Sequence, residues 1–305
     1  MADLSVKIAG VEFKNPVIMA SGAYGNGECY TDLYPISELG GISCKGMTIE
    51  PKMGNIPPRI AETPSGILNS VGLQNIGVRG FVDYYLDGLK EEGKGTVIIA
   101  NVAGATLEDY IAAAEVLENS SVDMIELNIS CPNVKAGGAT WGVTCEGAAA
   151  VTKAVRATTK KPLIVKLTPN VTSIADIAKA VEAEGADSIS VINTLLGMRI
   201  DIRNRRPILH NNVGGLSGPA IFPVAVRCVW QCFNAVKIPI IGMGGISTWE
   251  DAVEMMLAGA SAIQMGTAIF TDPYAPLKVT EGLAKYMDDN GIKSLSEIVG
   301  QVKPW

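Results

Sequence analysis

Short apolar runs recur eight times along this 305-residue chain, and most of the segments between them have the pattern of amphipathic helices. The runs are nearly continuous in Val, Ile, Leu and Met, which is typical of parallel strands that are covered on both faces. They are PVIMASG (16–22), GISCKGM (41–47), TVIIANVAG (96–104), MIELNIS (124–130), PLIVKLTP (162–169), SISVINT (188–194), PIIGMGG (239–245) and AIQMGT (262–267). This alternation predicts an α/β fold, a single (β/α)8 TIM barrel that forms one domain over residues 1–305.

The predicted helices carry residues that typically start and end helices. Thr106 and Thr248 each precede two acidic residues, which favours an N-cap at the positive end of the helix dipole. Gly185 and Gly259 stand shortly before the next strand, where a left-handed residue commonly ends a helix.

Two connections, residues 48–95 and 195–218, are too long to be simple turns between a strand and a helix. Each follows the carboxyl end of a predicted strand, and the active sites of TIM barrels lie at that face. Long ordered loops in compact domains usually carry a binding function or an interface. We therefore expect both to be insertions at the C-terminal, active-site face of the barrel.

Composition and charge exclude several classes of protein. The formal net charge is −6, and the 25 Lys and Arg residues are scattered, so a nucleic-acid-binding groove is not expected. No run approaches the ~18 uncharged apolar residues of a transmembrane helix, and the first residues lack the pattern of a signal peptide. We expect a cytoplasmic protein with no membrane span.

The six cysteines and the single histidine, His210, limit the possible catalytic and metal sites. The cysteines form no CxxC pair, so we expect free thiols in a reducing compartment, most of them buried and inert. A histidine-based metal centre or triad would depend on His210 alone, so we expect no metal site.

Polar side chains at the carboxyl ends of the runs should converge on the mouth of the barrel. Amides, two lysines and one thiol dominate this set, and carboxylates are nearly absent from it. Its members are Ser21, Lys45, Asn101, Asn128, Ser130, Cys131, Lys166, Thr168, Asn193 and Thr194. Because asparagine offers both a donor and an acceptor, the set favours a planar ligand that carries alternating carbonyl and N–H groups.

The last two runs end in glycine, at Gly244 and Gly245 and at Gly266, which precedes Thr267. Backbone N–H groups after the last two barrel strands commonly bind phosphate, so these turns indicate a phosphorylated cofactor. The alternative is that the glycines only permit tight turns. GMGGI is not the spaced GxGxxG fingerprint, so a Rossmann-type NAD site is only weakly indicated.

Lys166 and Cys131 are the strongest candidates for chemistry. A lysine inside the apolar run PLIVKLTP is costly to bury uncompensated, so it is either a solvent-exposed or snorkelling stem or a fixed cation in the mouth. Next to a flavin, such a cation would stabilise the anionic reduced ring. Lys45 has the same two interpretations. Cys131 lies between a strand and a Gly-rich loop, where a thiol can act as a general base once its surroundings favour the thiolate.

At this point the sequence resembles a known family over essentially its whole length. The motifs that carry the resemblance are NSVGLQN (69–75), NISCPN (128–133), VKAGG (134–138), VKLTPN (165–170), INT (192–194), GGLSG (214–218) and IGMGGI (241–246). They are similar to those of class 1 dihydroorotate dehydrogenases, with Trp141 as one departure where Phe is expected. Class 2 enzymes use serine in place of Cys131 and carry an N-terminal membrane segment that is not seen here.

The resemblance implies that FMN lies across the mouth and that dihydroorotate is oxidised to orotate for pyrimidine biosynthesis. The cofactor would contact Ser21, Lys45, Asn101, Asn128, Lys166, Ile192, Gly218, Gly244, Gly245, Gly266 and Thr267. The substrate would contact Lys45, Asn69, Gly72, Leu73, Asn128, Asn133, Asn193 and Thr194. Catalysis would involve Cys131, Lys45 and Lys166: Cys131 removes a proton from C5 while a hydride leaves C6 for FMN.

The continuation VKAGG resembles subclass 1B, which passes electrons to NAD through a second subunit that holds FAD and a 2Fe–2S cluster. This implies a homodimer within a heterotetramer, and the scattered cysteines of this chain form no iron–sulfur ligand set. Three alternatives remain open: a fumarate-linked class 1A enzyme, a reductase similar to dihydropyrimidine dehydrogenase, and a non-redox barrel that binds a phosphorylated metabolite.

Overall fold

The structure is a computed structural model that describes residues 3–130 and 141–305. Its strands are β1 (Val6–Ile8), β2 (Val11–Phe13), β3 (Val17–Met19), β4 (Gly41–Ser43), β5 (Ile60–Thr63), β6 (Gly66–Asn69), β7 (Val97–Val102), β8 (Met124–Asn128), β9 (Leu163–Leu167), β10 (Ser188–Val191), β11 (Leu195–Gly197), β12 (Ile200–Asp201), β13 (Arg206–Pro207), β14 (Gly214–Ser217), β15 (Ile240–Met243) and β16 (Ala262–Met265). Eight of them close into a parallel barrel in the order β10-β15-β16-β3-β4-β7-β8-β9. Each predicted apolar run contains one barrel strand, so the predicted fold is confirmed.

Most of the helices lie between successive barrel strands in the chain and pack against them, whereas α1 lies at the mouth and α9 follows the last barrel strand. They are α1 (Ser21–Tyr24), α2 (Gly77–Phe81), α3 (Asp87–Gly93), α4 (Leu107–Glu118), α5 (Cys145–Thr158), α6 (Ile174–Ala183), α7 (Phe222–Phe233), α8 (Trp249–Leu257) and α9 (Ala275–Asn290). A π-helical turn, Val82–Leu86, joins α2 to α3. Short 3-10 helices occupy Ile36–Glu38, Trp141–Val143, Pro219–Ile221, Thr267–Phe270 and Leu295–Glu297.

The predicted helix ends are found at the expected residues. Thr106 and Thr248 cap α4 and α8, and each forms a capping box with the aspartate three residues later. Gly185 and Gly259 follow α6 and α8 at φ +91° and +125°, a backbone conformation that favours glycine.

The lower interior of the barrel is filled with apolar side chains. This lower layer consists of Ile8, Phe13, Ile18, Val97, Ile99, Met124, Ile164, Ile241 and Ala262, and every member comes from a strand. Its first two residues belong to the hairpin β1–β2, which therefore closes the amino-terminal end of the barrel. The larger apolar cluster, which includes buried residues of the helices, lies between the strands and the helices.

The two long connections contain strands that sequence reasoning described only as insertions. β5, β6, β11 and β14 form an antiparallel sheet in the order β11-β14-β6-β5, and β12 pairs with β13 as a hairpin. The pairing of β6 with β14, through Asn69 opposite Gly215, joins one connection to the other. Because both start after carboxyl ends of barrel strands, the sheet lies over the mouth, on the predicted side.

Candidate active site

One cavity at the mouth brings together most of the residues that the sequence predicts for the site. It is lined by Ser21, Lys45, Asn69, Gly72, Leu73, Asn128, Lys166, Ile192, Asn193, Thr194, Gly244, Gly245, Gly266 and Thr267. These residues come from the ends of the barrel strands and from both long connections. The antiparallel sheet thus forms a wall of the same cavity.

Two predicted site residues that the structure describes, Asn101 and Gly218, do not line this cavity. Asn101 is fully buried next to it, with its side chain hydrogen-bonded to Asn128. Gly218 lies behind Gly245, where a Cβ on Gly245 would come within 2.8 Å of the Gly218 carbonyl oxygen. Cys131 and Asn133 lie outside the described residues.

The glycine turns form a tight cradle at one end of the cavity. Gly244 and Gly245 have φ values of +125° and +80°, and a Cβ at either position would lie within 3.0 Å of neighbouring atoms. Glycine is therefore required here both by the backbone conformation and by the space. A Cβ on Gly245 would also meet the backbone nitrogen of Phe222, the first residue of α7, so the turn lies against a helix N-terminus, which favours bound anions. Ser217 and Thr267 add hydroxyls, 2.8 Å apart.

A fully buried carboxylate, Glu126 on β8, lies beneath this cavity. Its Oε2 accepts hydrogen bonds from Ser43 Oγ at 2.6 Å and from Asn101 Nδ2 at 2.5 Å. Its Oε1 accepts from Ser190 Oγ at 2.7 Å and from Gln264 Nε2 at 2.8 Å. Together with Lys166, these five residues form a polar layer above the lower layer. Among the described residues no Asp or Glu lines the cavity itself, as the sequence predicts for the mouth, because Glu126 lies beneath it.

The polar layer keeps the Glu126 carboxyl in its ionised form. Burial by itself raises the pKa of this group, but the charge of Lys166 and the hydrogen bonds from Ser43, Ser190 and Asn101 outweigh burial and lower it. A buried charge is tolerated only when it is compensated in this way.

The two lysines of the mouth differ in their surroundings. Lys166 is 6% exposed, lines the cavity, and has no hydrogen-bond acceptor for Nζ among residues 3–130 and 141–305. Lys45 is half-buried at the end of β4 and also lines the cavity. Lys166 is therefore not a solvent-exposed stem, whereas its role as a fixed cation stays a prediction.

Asparagine side chains connect the polar layer to the far wall of the cavity. Asn128 Nδ2 donates to Asn101 Oδ1 at 3.3 Å, and Ser130 Oγ donates to Asn128 Oδ1 at 2.9 Å. Asn193 Nδ2 in turn donates to Ser130 Oγ at 2.8 Å. The backbone N–H of Thr194 donates to Asn193 Oδ1 at 2.7 Å. The amides predicted to bind a planar heterocycle thus form one connected series.

The five cysteines that the structure describes are free thiols: Cys29, Cys44, Cys145, Cys228 and Cys232. Burial raises the pKa of Cys44 and Cys228, and it raises the pKa of Cys232 to about 12. These three are therefore neutral, inert thiols at physiological pH, as the sequence predicts for buried cysteines.

The cavity fits FMN on three independent features. The cradle at Gly244 and Gly245 has the backbone geometry of a phosphate site at a helix N-terminus. Gln264 Oε1 is buried without a hydrogen-bond partner in the described part of the chain, so it offers an acceptor to a ring N–H. Lys166 supplies a cation that can stabilise a reduced, anionic flavin.

A scan against protein families matches residues 3–287 to the family described as "Dihydroorotate dehydrogenase". The chain belongs to the dihydroorotate dehydrogenase family. Membership confirms the resemblance drawn from the sequence motifs, and with it the expected oxidation of dihydroorotate and use of FMN.

Curated relatives are similar to this chain over nearly its whole length. A protein of Parabacteroides distasonis is 57% identical over 301 residues, which cover 98% of each chain. One of Bacteroides thetaiotaomicron is 54% identical over 99% of this chain and 100% of its own. One of Alkaliphilus oremlandii is 54% identical over 98% of this chain and 99% of its own. Each of these relatives is named "Dihydroorotate dehydrogenase B (NAD(+)), catalytic subunit".

Sequence reasoning about this dihydroorotate dehydrogenase family member missed Glu126 and Gln264. A signal for Glu126 was present, because a glutamate inside the apolar run MIELNIS is as unusual as the lysine inside PLIVKLTP. In the barrel, Asn128 on β8 pairs with Lys166 on β9, which places the two charges on adjacent strands. A glutamate and a lysine in the apolar runs of two neighbouring strands predict that the two charges compensate each other inside the barrel.

Proposed function

We propose that this chain is the catalytic subunit of an NAD-linked dihydroorotate dehydrogenase that oxidises (S)-dihydroorotate to orotate. The observation that carries the proposal is a single cavity that joins a series of amides to a glycine cradle. Asn69, Asn128 and Asn193 offer donors and acceptors to the carbonyl and N–H groups of a pyrimidine. Lys45 offers a cation to the carboxylate that distinguishes dihydroorotate from dihydrouracil.

When bound, FMN supplies the two-electron acceptor for the C6 hydride. Gly244, Gly245, Gly266 and Thr267 would hold its phosphate, and Lys166 would lie near its ring. The chain itself must fix the pyrimidine and take the C5 proton.

We assign the proton abstraction to Cys131, which directly follows Ser130 in the chain. Glu126 is unsuited to this role because it is fully buried and its two carboxylate oxygens already accept four hydrogen bonds. A thiol with an ordinary pKa of about 8.5 can act as a base close to neutral pH once its surroundings favour the thiolate.

The test of this mechanism is Cys131→Ser in the FMN-loaded protein. Reduction of the flavin by dihydroorotate should slow by roughly 100-fold or more at neutral pH, and its optimum should move to higher pH, because a hydroxyl releases its proton less readily than a thiol. Stopped-flow absorbance of the flavin measures the rate. Cys29→Ser, at an exposed cysteine, is the matched control. A wild-type rate in Cys131→Ser would remove the thiol from the mechanism.

Substrate identity is tested on the wild-type protein by anaerobic bleaching of the flavin. Dihydroorotate should bleach it, whereas dihydrouracil should not, because dihydrouracil lacks the carboxylate that Lys45 would hold. Equal bleaching by both compounds would favour a reductase similar to dihydropyrimidine dehydrogenase.

We further propose that electrons leave through an FAD-containing iron–sulfur subunit. Support comes from the relatives, whose name includes both "NAD(+)" and "catalytic subunit". Neither half of the described chain, 3–130 or 141–305, has a cluster of His, Cys, Asp and Glu that could hold a metal ion. The chain alone should reduce neither NAD nor fumarate with dihydroorotate, and NAD reduction should appear when the partner subunit is added. Fumarate reduction by the chain alone would instead indicate the class 1A reaction.

The homodimer expected within a heterotetramer is also a proposal. Apolar side chains of the antiparallel sheet and its neighbouring hairpin are exposed, among them Ile60, Leu196, Ile200 and Ile202. Exposed apolar patches of this kind often mark protein interfaces. Analytical ultracentrifugation should give twice the chain mass, and Ile202→Asp should shift it towards the monomer.

The proposed location is the cytoplasm. Free cysteines at Cys29, Cys44 and Cys145 fit a reducing compartment. No helix in the described residues is long and apolar enough to cross a membrane.

A further inference from the structure

Glu126 stands at the start of the hydrogen-bonded series that reaches the substrate side of the cavity. An ionised carboxylate can only accept hydrogen bonds, whereas an amide can present either its oxygen or its nitrogen to a neighbour. The two ends of an amide have nearly the same shape, so only the neighbouring partners decide its orientation. Contact with Glu126 Oε2 therefore forces Asn101 to turn its Nδ2 towards the carboxylate.

The orientation of Asn101 agrees with that of the next residues in the series. With Nδ2 committed to Glu126, Asn101 presents Oδ1, which accepts from Asn128 Nδ2. Asn128 presents Oδ1 to the hydroxyl and the backbone N–H of Ser130, which hold it in the same orientation. Asn193 donates from Nδ2 to the hydroxyl and the carbonyl oxygen of Ser130 and accepts from the Thr194 N–H, so backbone groups fix its direction. Each amide in this series has its donor on the side of Glu126 or Ser130 and its acceptor on the opposite side.

The other carboxylate oxygen orients a second amide. Glu126 Oε1 accepts from Gln264 Nε2, which leaves Gln264 Oε1 as the buried atom without a partner in the described part of the chain. Gln264 lines the cavity and is 1% exposed. A single carboxylate thereby decides that an acceptor, and not a donor, is offered at this position.

We propose that Glu126 is a positioning residue that sets the donor and acceptor direction of Asn101 and of Gln264, and thereby the hydrogen-bonding pattern presented to pyrimidine and flavin. Glu126 touches neither ligand in this role and acts through Asn101 and Gln264. The inference rests on the proposed function, because orotate and FMN are its probes.

Glu126→Gln should reverse one of these amides while it preserves shape. The amide nitrogen introduced at position 126 must face either Asn101 or Gln264, and the residue that it faces must turn to present its oxygen. The affinity of the protein for orotate or for FMN should therefore fall about tenfold. Orotate binding is measured from the perturbation of the flavin absorbance, and FMN binding from the fluorescence of released flavin.

A second substitution should restore the direction of the series. In the double variant Glu126→Gln with Asn101→Asp, the carboxylate introduced at position 101 accepts from the new amide nitrogen and from Asn128 Nδ2. The oxygen of the new amide then faces Gln264 Nε2, so Asn128 and Gln264 have the same orientations as in the wild-type protein. The net charge of the polar layer is unchanged. Both affinities should return to within about threefold of wild type.

Asn101→Asp alone should bind orotate about tenfold more weakly, because it places two carboxylates next to each other. In the double variant, two substitutions that each weaken ligand binding on their own should together restore it. A purely structural role of Glu126 does not predict this recovery of affinity. Glu118→Gln is the matched control, because Glu118 accepts hydrogen bonds from Thr159 and the backbone of Lys160 outside the cavity. The Glu118→Gln variant should bind orotate and FMN with the same affinities as the wild-type protein.

Two results would overturn the inference: wild-type affinities for both ligands in Glu126→Gln, or a double variant that binds no better than the single variants. If Glu126→Gln does not fold, the comparison of the double variant with Asn101→Asp decides by itself. Thermal unfolding of each apoprotein separates loss of folding from loss of binding. Failure of the wild-type protein to bind orotate would count against the proposed function and not against this inference.

Discussion

The lower layer and the polar layer occupy successive levels of one barrel interior, yet they have opposite chemistry. On β9, Ile164 belongs to the lower layer and Lys166, two residues further along, belongs to the polar layer. On β8, Met124 and Glu126 divide in the same way. Barrel interiors are usually filled throughout by branched apolar residues, so the polar layer is the part that stability alone does not explain.

The difference teaches that the two ends of one barrel serve different purposes. Burial of an apolar side chain stabilises the fold by about 1.5–3 kcal/mol, whereas a buried ion pair often contributes little net stability. The polar layer lies directly beneath the cavity, and two of its residues, Gln264 and Lys166, line the cavity. We therefore expect substitutions in the lower layer to change stability and substitutions in the polar layer to change ligand binding.

The largest expected effect on stability is that of Ile164→Ala. Ile164 is fully buried in the lower layer, so the substitution removes apolar contacts and leaves a cavity, at a cost of about 2–5 kcal/mol in the free energy of unfolding. Urea unfolding of the apoprotein measures this loss. The affinity of the folded protein for FMN should not change, and a tenfold weaker affinity would show that the two layers are not separable.

Ser190→Ala should have a smaller effect. It removes one of the four hydrogen bonds to the Glu126 carboxylate, which costs about 1.5 kcal/mol of unfolding free energy because the acceptor is charged. Three donors remain, so the amides keep their direction and orotate affinity should stay within about twofold of wild type. The matched control is Ser188→Ala, on the same strand as Ser190, which removes a hydrogen bond to the neutral Pro239 carbonyl. It should cost about 1 kcal/mol or less of unfolding free energy. An orotate affinity that falls as far as in Glu126→Gln would show that the donors, and not the carboxylate, orient the amides.

The same division explains which parts of the fold the sequence could predict. The barrel strands follow from runs of apolar residues, because burial on both faces leaves a strong local pattern. The capping boxes at Thr106 and Thr248 are equally local, since each depends on residues within one turn. The antiparallel sheet over the mouth was not predicted, because its strands have only three or four residues each and no residue of β5 or β11 is buried.

In the candidate site, the residue types were predictable but their directions were not. Lys166 was found because a charge inside an apolar run is rare, and the same rule applied to β8 would have found Glu126. That Asn101 turns its nitrogen inward depends on Glu126, which is 25 residues away in the chain. Such a contact exists only once the barrel has closed, and no spacing along the chain encodes it.

The smallest expected change in stability, and the sharpest test of the comparison, is that of the double variant Lys166→Met with Glu126→Gln. Lys166→Met alone leaves the Glu126 carboxylate buried without its compensating charge and should cost about 3 kcal/mol of unfolding free energy. Removal of both charges should bring the apoprotein back to within about 1 kcal/mol of wild type, because neither charge is then left buried without the opposite one.

FMN affinity should nevertheless fall at least tenfold in that double variant, because the cation that lines the cavity is gone and Glu126→Gln by itself reverses Asn101 or Gln264. Urea unfolding of the apoprotein and fluorescence titration with FMN measure the two quantities on the same sample. If the double variant instead loses as much stability as Ile164→Ala, the polar layer supports the fold in the same way as the apolar layer beneath it. The two layers then differ only in the chemistry of their contacts, and the assignment of the upper one to ligand binding fails.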